Sequence, residues 1–210
     1  MTKTHVTSLA LIALFAAVGG AQQTARVDVA PNSKVWIDGT STLHEWSCTA
    51  TSLDAEIDFD AAAAAQVAVA PPKALKKVDV KIPVKSLHCS HGGMDGRVYD
   101  ALKADKAPEI SYILATFEPA AGASSDSYTL KTVGQLTIAG KTNTVDMDVL
   151  ATRMPDGTIK ATGKVPVKMT DYGVQPPTAL FGRIKAGDVV TVNFELTVGS
   201  KAIAAALEQK

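Results

Sequence analysis

Apolar and polar residues alternate along most of this chain with a period of two. Val78, Val80, Ile82 and Val84 alternate with Asp79, Lys81, Pro83 and Lys85. Val145, Met147 and Val149 alternate with Asp146, Asp148 and Leu150. The same pattern runs through Ile159 to Met169 and through Val190 to Val198. Successive side chains of a strand point to opposite faces, so each segment predicts a strand with one apolar and one wetted face. The segments number about eight: 33–38, 42–59, 74–87, 109–118, 126–138, 142–153, 157–169 and 188–198. Gly39-Thr40, Ala139-Gly140-Lys141 and Pro155-Asp156-Gly157 mark turns between them. Short loops between successive strands predict an antiparallel meander without crossover helices. A meander this long has exposed edges, and closure into a barrel removes them. The expectation is an all-β, eight-stranded antiparallel barrel with one short helix and a long loop over one end.

Three segments break the alternation. Asp60 to Pro72 is rich in Ala and Val and reads as a helical turn or a loose loop. Residues 94–104 place Met94, Val98, Ala101 and Leu102 at helical spacing, with Pro108 beyond as a stop, so the helix is expected there. Asp171 to Gly187 is too long for a hairpin turn and is expected to fold over a barrel end as a lid. The run Ala202 to Leu207 reads as a frayed helix in a C-terminal tail, 199–210.

An eight-stranded barrel either fills itself with side chains or holds one small ligand. The inward residues here are mostly Val, Ala, Ile and Gly, and the whole chain has five Phe and two Trp. Two outcomes stay open: an apolar cavity that accepts an apolar guest, and a plain packed core.

The N-terminus changes the picture of where the barrel works. Lys3 and His5 precede an apolar run from Val6 to Val18, which ends in Gly19, Gly20 and Ala21. This is the build of a secretory signal, expected over 1–21, followed by a linker over 22–32. The run is short for a bilayer span. Export places the protein in the periplasm or outside the cell. Lys plus Arg and Asp plus Glu number 21 each and no basic stripe occurs, so nucleic acid is not an expected partner. In an oxidising compartment the pair Cys48 and Cys89 is expected to form a disulfide.

Candidate chemistry is sparse. His44, Trp46 and Cys48 share one strand face. Trp46 is a candidate for the cavity mouth or the core. His44 reads first as a cap on the turn region Gly39 to Thr42, and otherwise as a partner for a polar ligand head. His88, Cys89 and His91 with Cys48 form the sharpest rival, an exported metal-binding or stress-response protein, because imidazoles and thiolates are zinc ligands. Oxidation of the thiols would remove that option, so metal is not the expected cofactor. Asp54, Glu56, Asp58 and Asp60 share a face that reads as solvated. No Gly-X-Ser-X-Gly elbow, Walker loop, dinucleotide loop or His-Glu-X-X-His helix occurs, and no nucleophile–base pair supports an enzyme. Leu180 and Phe181 in the long loop are candidates to cover a hydrocarbon tail. Tyr99 and Leu102 on the helix, and Phe117 and Phe194 on strands, complete the candidate ligand-binding set.

Five pieces of the chain, in order, resemble the YceI-like family. They are Ser33 to Trp46, Val80 to Leu87, Met94-Asp95 with Tyr99 to Ala104 and Pro108 to Ile110, Gly134 to Thr142, and Gly187 to Val192. The likeness covers nearly all of 33–198, taken as the domain. The resemblance implies a lipocalin-like periplasmic barrel that binds a polyisoprenoid, such as a polyprenyl lipid or an isoprenoid quinone, along its axis. Its implied job is storage or transport without catalysis. The lipid is then the expected ligand and no further cofactor is expected; transient membrane contact and a dimer stay open. The Ala-rich insert at 61–70 and the two cysteines depart from the family pattern.

Overall fold

A computed structural model describes residues 24–27, 29–60, 75–90, 93–120, 126–156 and 158–199. The expected signal segment 1–21, the insert 61–72, His91 and the run 202–207 lie outside the described residues.

The strands are β1 Thr24–Val27, β2 Lys34–Ser41, β3 Glu45–Ala50, β4 Asp54–Asp60, β5 Leu75–Pro83, β6 Leu87–Cys89, β7 Glu109–Pro119, β8 Ser127–Ile138, β9 Lys141–Arg153, β10 Ile159–Lys168, β11 Thr178–Ala179 and β12 Ile184–Val198. The helix, α1, spans Met94–Ala101. Short 3₁₀ turns occupy Val84–Ser86 and Met169–Tyr172. All strand pairs are antiparallel, and the sheet is strongly curled.

Two of the expected long strands are each broken once. β3 and β4 are halves of one bent strand, as are β5 and β6. Ala50 faces Leu87 on one side of the break, Asp54 faces Lys81 on the other, and the Thr51 amide donates to the Ser86 carbonyl (2.9 Å) between them. The break begins at Pro83, whose ring nitrogen has no hydrogen to give a ladder. Ser86 is buried and its hydroxyl donates to the carbonyls of Pro83 (2.8 Å) and Ser52 (3.2 Å), which pins the kink. Counted with these bends, the ring has eight members, each paired on both sides, and β12–β2 closes it. The β9–β10 ladder is short, from Ile159 opposite Arg153 to Gly163 opposite Val149. The Met169–Tyr172 turn packs against β9, β10 and β12, where Asn143 Nδ2 donates to the Asp171 carbonyl (3.1 Å).

Four expectations need correction. Residues 22–32 are not all linker, because β1 pairs with β4 and Arg26 meets Glu56 at 3.3 Å. Four residues are too few to display a period. The last strand begins at Ile184, not 188, because β11 folds back and pairs with its start. Helix α1 stops at Ala101, and the chain turns through Lys103 in the left-handed region (φ 56°). Asp60 is not on a wetted face; it is buried opposite Thr24 and lies 3.6 Å from Lys76 Nζ.

Cys48 and Cys89 face each other in the β3–β6 ladder and form a disulfide, with Cα atoms 3.8 Å apart. It joins residues 41 apart in sequence, at the one ladder that β6 makes. Replacing both cysteines by Ala should lower unfolding free energy by about 4 kcal/mol in the chain-entropy picture, read from a urea melt. An unchanged midpoint would show that the bridge constrains nothing.

Candidate functional site

The apolar faces of the ring enclose a cavity of about 450 Å³. Its wall comes from the residues that alternate in the sequence: Val78, Val80 and Ile82 on β5, Val145, Met147 and Val149 on β9, and Val190, Val192, Phe194 and Leu196 on β12. Met94, Val98 and Ala101 of α1, with Leu102 just past its end, close part of one end. Val27, Ile57 and Val198 pack into a small buried cluster at the opposite end. The barrel therefore holds an apolar cavity beside a packed cluster of buried wall residues.

Three aromatic rings keep that void open. Trp46 lies on Gly39, Phe194 on Gly163 and Tyr112 on Gly134, each glycine belonging to a neighbouring strand. A Cβ at Gly163 would sit 2.5 Å from Phe194 Cζ, and at the other two it would likewise overlap the ring. The missing side chain lets each ring lie flat along the wall. With any larger residue the ring would have to shift from that position.

Polar groups in the lumen are few. Tyr112, Tyr128, Tyr172 and Thr132 are the main ones away from the mouth. Burial pushes the hydroxyl pKa of all three tyrosines up, that of Tyr128 to about 12, so they remain neutral hydrogen-bond donors. The Thr132 hydroxyl donates to the Met147 carbonyl (2.9 Å). The hydroxyls of Tyr112 and Tyr172 are buried and make no well-formed hydrogen bond among the described residues; Thr132 and Asn143 are their nearest polar neighbours and partly offset the effect of burial. Such groups are uncommon in folded proteins, and a bound oxygen acceptor would satisfy them. Ser41, His44, Arg97 and Thr178 surround the mouth, where Arg97 Nη1 donates to the Thr178 carbonyl (3.3 Å).

The structure divides the candidate residues. Trp46, Leu102 and Phe194 line the cavity. Trp46 is held there by its indole Nε1, which donates to the Thr40 carbonyl (3.0 Å). Tyr99 does not face the lumen; its hydroxyl donates to the carbonyls of Leu87 (2.9 Å) and Lys85 (3.1 Å), so it anchors α1 to the kinked strand. Phe117 lies past the register shift between Leu114 and Thr116, half-buried and outside the lining. Leu180 and Phe181 do not cover the lumen: they are 64% and 108% exposed at the tip of the β11–β12 hairpin. The hairpin register sets them outward, and inward cover falls to Pro177, Ala179 and Ile184. The His44 carbonyl accepts from the Ser41 amide (2.9 Å) and hydroxyl (2.8 Å), so His44 closes the β2–β3 turn while also edging the mouth.

The metal alternative loses both sulfur ligands to the disulfide. His88 Nδ1 instead meets Asp95 Oδ2 (2.9 Å), and Asp95 Oδ1 accepts from the Cys89 amide (2.9 Å). Those contacts, the amide first, hold the Asp95 carboxyl below its usual range. Tyr112 was within reach of a sequence reading, since it is in phase with Ile110 and Leu114. Tyr172 was not, because it sits in an irregular loop.

Replacing Gly163 with Val should drive the Phe194 ring into the lumen and weaken ligand binding by at least about tenfold, the order expected when a core site is overpacked by 1–3 kcal/mol. Restoring the space with Phe194→Ala in the same chain should recover binding. Undiminished binding in G163V would show that the ring does not set the lumen width.

No curated relative matches the chain. Among solved structures, BcnA of Burkholderia cenocepacia aligns over 82% of this chain and 100% of its own, with 23% identity and a TM-score of 0.64. The YceI protein of Campylobacter jejuni aligns over 71% of this chain and 82% of its own, at 24% identity and TM-score 0.53. A polyisoprenoid binding domain from Saccharophagus degradans, implicated in plant cell wall breakdown, aligns over 82% and 96%, at 14% identity and TM-score 0.58. These likenesses share the fold described above. The YceI-like domain family matches residues 27–198, which takes in every strand of the closed ring, and the chain belongs to that family.

Proposed function

We propose that this protein binds an isoprenoid-type lipid in its lumen, without catalysis, and stores or carries it in the periplasm after export. The observation that carries the reading is the cavity of about 450 Å³ walled by hydrocarbon. That volume lies within the range of small-ligand sites. At about 30 Å³ per water-sized unit it takes on the order of 15 carbon-sized units. Each methylene-sized unit moved from water to such a wall gains about 0.8 kcal/mol. The unpaired Tyr112 and Tyr172 hydroxyls favour a ligand that carries an oxygen acceptor, such as a quinone carbonyl or a prenol hydroxyl, over a bare hydrocarbon. The structural neighbour from Saccharophagus degradans, described as a polyisoprenoid binding domain, supports the same class.

Two experiments test the reading. Mass spectrometry of an organic extract of the protein, purified from its native compartment, should show one isoprenoid lipid near equimolar amount. Protein that is empty, and whose melting temperature ignores added quinones and polyprenols, would end the proposal. The double variant Tyr112→Phe/Tyr172→Phe should melt no lower than the parent when empty, because it removes unpaired buried hydroxyls. It should bind a quinone roughly 5- to 10-fold more weakly, about 1–1.5 kcal/mol, while binding a plain alkane equally well. Equal losses for quinone and alkane would show that the hydroxyls do not face the ligand's oxygen.

A further inference from the structure

Leu180 and Phe181 form a feature that the barrel itself does not require. Both have positive φ, 49° and 54°, and the Gly182 amide donates to the Ala179 carbonyl (3.1 Å) across them. Gly182 follows with φ 85°, and the Arg183 amide donates to the Leu180 carbonyl (3.2 Å), so the four-residue loop between Ala179 and Ile184 makes a left-handed turn that side chains with a Cβ resist. Here it carries two large apolar residues, turned fully to solvent. Leu43, at the tip of the β2–β3 turn, is 67% exposed. The two tips are tied together: the Thr42 amide donates to the Lys185 carbonyl (3.0 Å), and the Thr42 hydroxyl donates to the Arg183 carbonyl (3.3 Å). Three exposed apolar side chains therefore share one end of the barrel.

The hairpin beside them carries cations, while the nearest carboxylates are Glu45 past the Leu43 turn and Asp188, which interacts with Lys185. Between Tyr172 and Gly187 the chain has Arg183 and Lys185 and no acidic residue, although the whole chain balances 21 cations against 21 anions. Arg97 stands at the same mouth. The inner side of the same hairpin, through Thr178, Ala179 and Ile184, lines the cavity.

We propose that this end docks on a lipid bilayer, with Leu43, Leu180 and Phe181 inserted among the acyl chains and Arg97, Arg183 and Lys185 against anionic headgroups. Large apolar side chains ringed by cations are the build of an interfacial anchor. The inference rests on the lumen reading, since it gives that lumen a source of cargo. A lipid leaving the bilayer beside Phe181 would meet Ala179 and Ile184 without crossing bulk water. The outward setting of the two residues that a lid would need is then a functional placement.

Vesicle flotation of the full mature chain tests this, using phosphatidylcholine alone and phosphatidylcholine with phosphatidylglycerol. The parent should float with both, more with the anionic vesicles, and less as salt rises. L180S/F181S should lose on the order of 100-fold in partitioning, as two buried side chains would. R183Q/K185Q should lose only the anionic increment, roughly 5-fold per cation. A thermal shift with farnesol, short enough to enter from solution, reads the lumen separately and should be the same in parent and both variants. A parent that shifts with farnesol yet never floats would overturn the docking while leaving the lumen reading intact. A parent that floats but ignores farnesol would leave the docking standing and remove the lumen. A concentration-dependent dimer abolished by L180S/F181S, without flotation, would assign the surface to a second copy of the chain.

Discussion

The space inside an eight-membered ring is decided by a few ångströms. At this strand number side chains either meet across the axis or leave room for a single guest. Here the outcome turns on three contacts between an aromatic ring and a strand glycine, at Gly39, Gly134 and Gly163. Glycine inside a strand costs conformational entropy and gives nothing to the wall. Its use is to let Trp46, Tyr112 and Phe194 contribute large apolar area while lying against the barrel. The same rings standing upright would occupy the volume a ligand needs. The local weakness of the strands and the openness of the lumen are therefore one physical trade.

The kinks in the two bent strands place the mouth. The 3₁₀ turn at Val84–Ser86 turns the chain at Pro83 and sends β6 to pair with β3. That short ladder is fastened by the Cys48–Cys89 bridge on one side and by Asp95, which accepts from Cys89 and meets His88, on the other. Helix α1 begins at Met94, just past this point, so its lumen-facing residues Met94, Val98 and Ala101, and Leu102 at its C-cap, are set against the barrel end by the same fastening. Tyr99 adds a second tie through the Leu87 carbonyl. The cysteines shape the mouth by holding the strand that carries the helix, and neither sulfur is left for metal chemistry.

Period two made most of the wall legible in advance, because each inward face is a simple alternation of Val, Ile, Leu and Ala against charged residues. The alternate apolar residues of 145–149, 159–167 and 190–198 line the cavity as their spacing requires. Three kinds of feature escaped. The breaks at 51–53 and 84–86 keep clean alternation on either side and are marked only by a change of phase, from Trp46 and Cys48 to Ile57 and Phe59 and from Ile82 to Leu87. Leu180 and Phe181 look like cover for a lipid because they are apolar and near a barrel end. Their direction is fixed by a four-residue left-handed loop whose backbone conformation their identities oppose. The Tyr112 and Tyr172 hydroxyls are seen to be unpaired only once their surroundings are known.

Those hydroxyls bear on what the lumen can take. A buried donor without a partner loses its hydration and gains nothing in exchange, at about 1–3 kcal/mol each. Replacing tyrosine by phenylalanine would remove that cost, and a barrel whose only requirement was stability would favour the change. Keeping both hydroxyls in a lumen otherwise walled by Val, Ile, Leu and Met makes sense if their partner arrives with a ligand. A neutral phenol can donate to or accept from a ligand oxygen, and the mostly hydrocarbon wall suits a ligand with a long apolar body. An oxygen-bearing isoprenoid meets both conditions at once; a bare alkane meets only the second, and a small polar solute only the first.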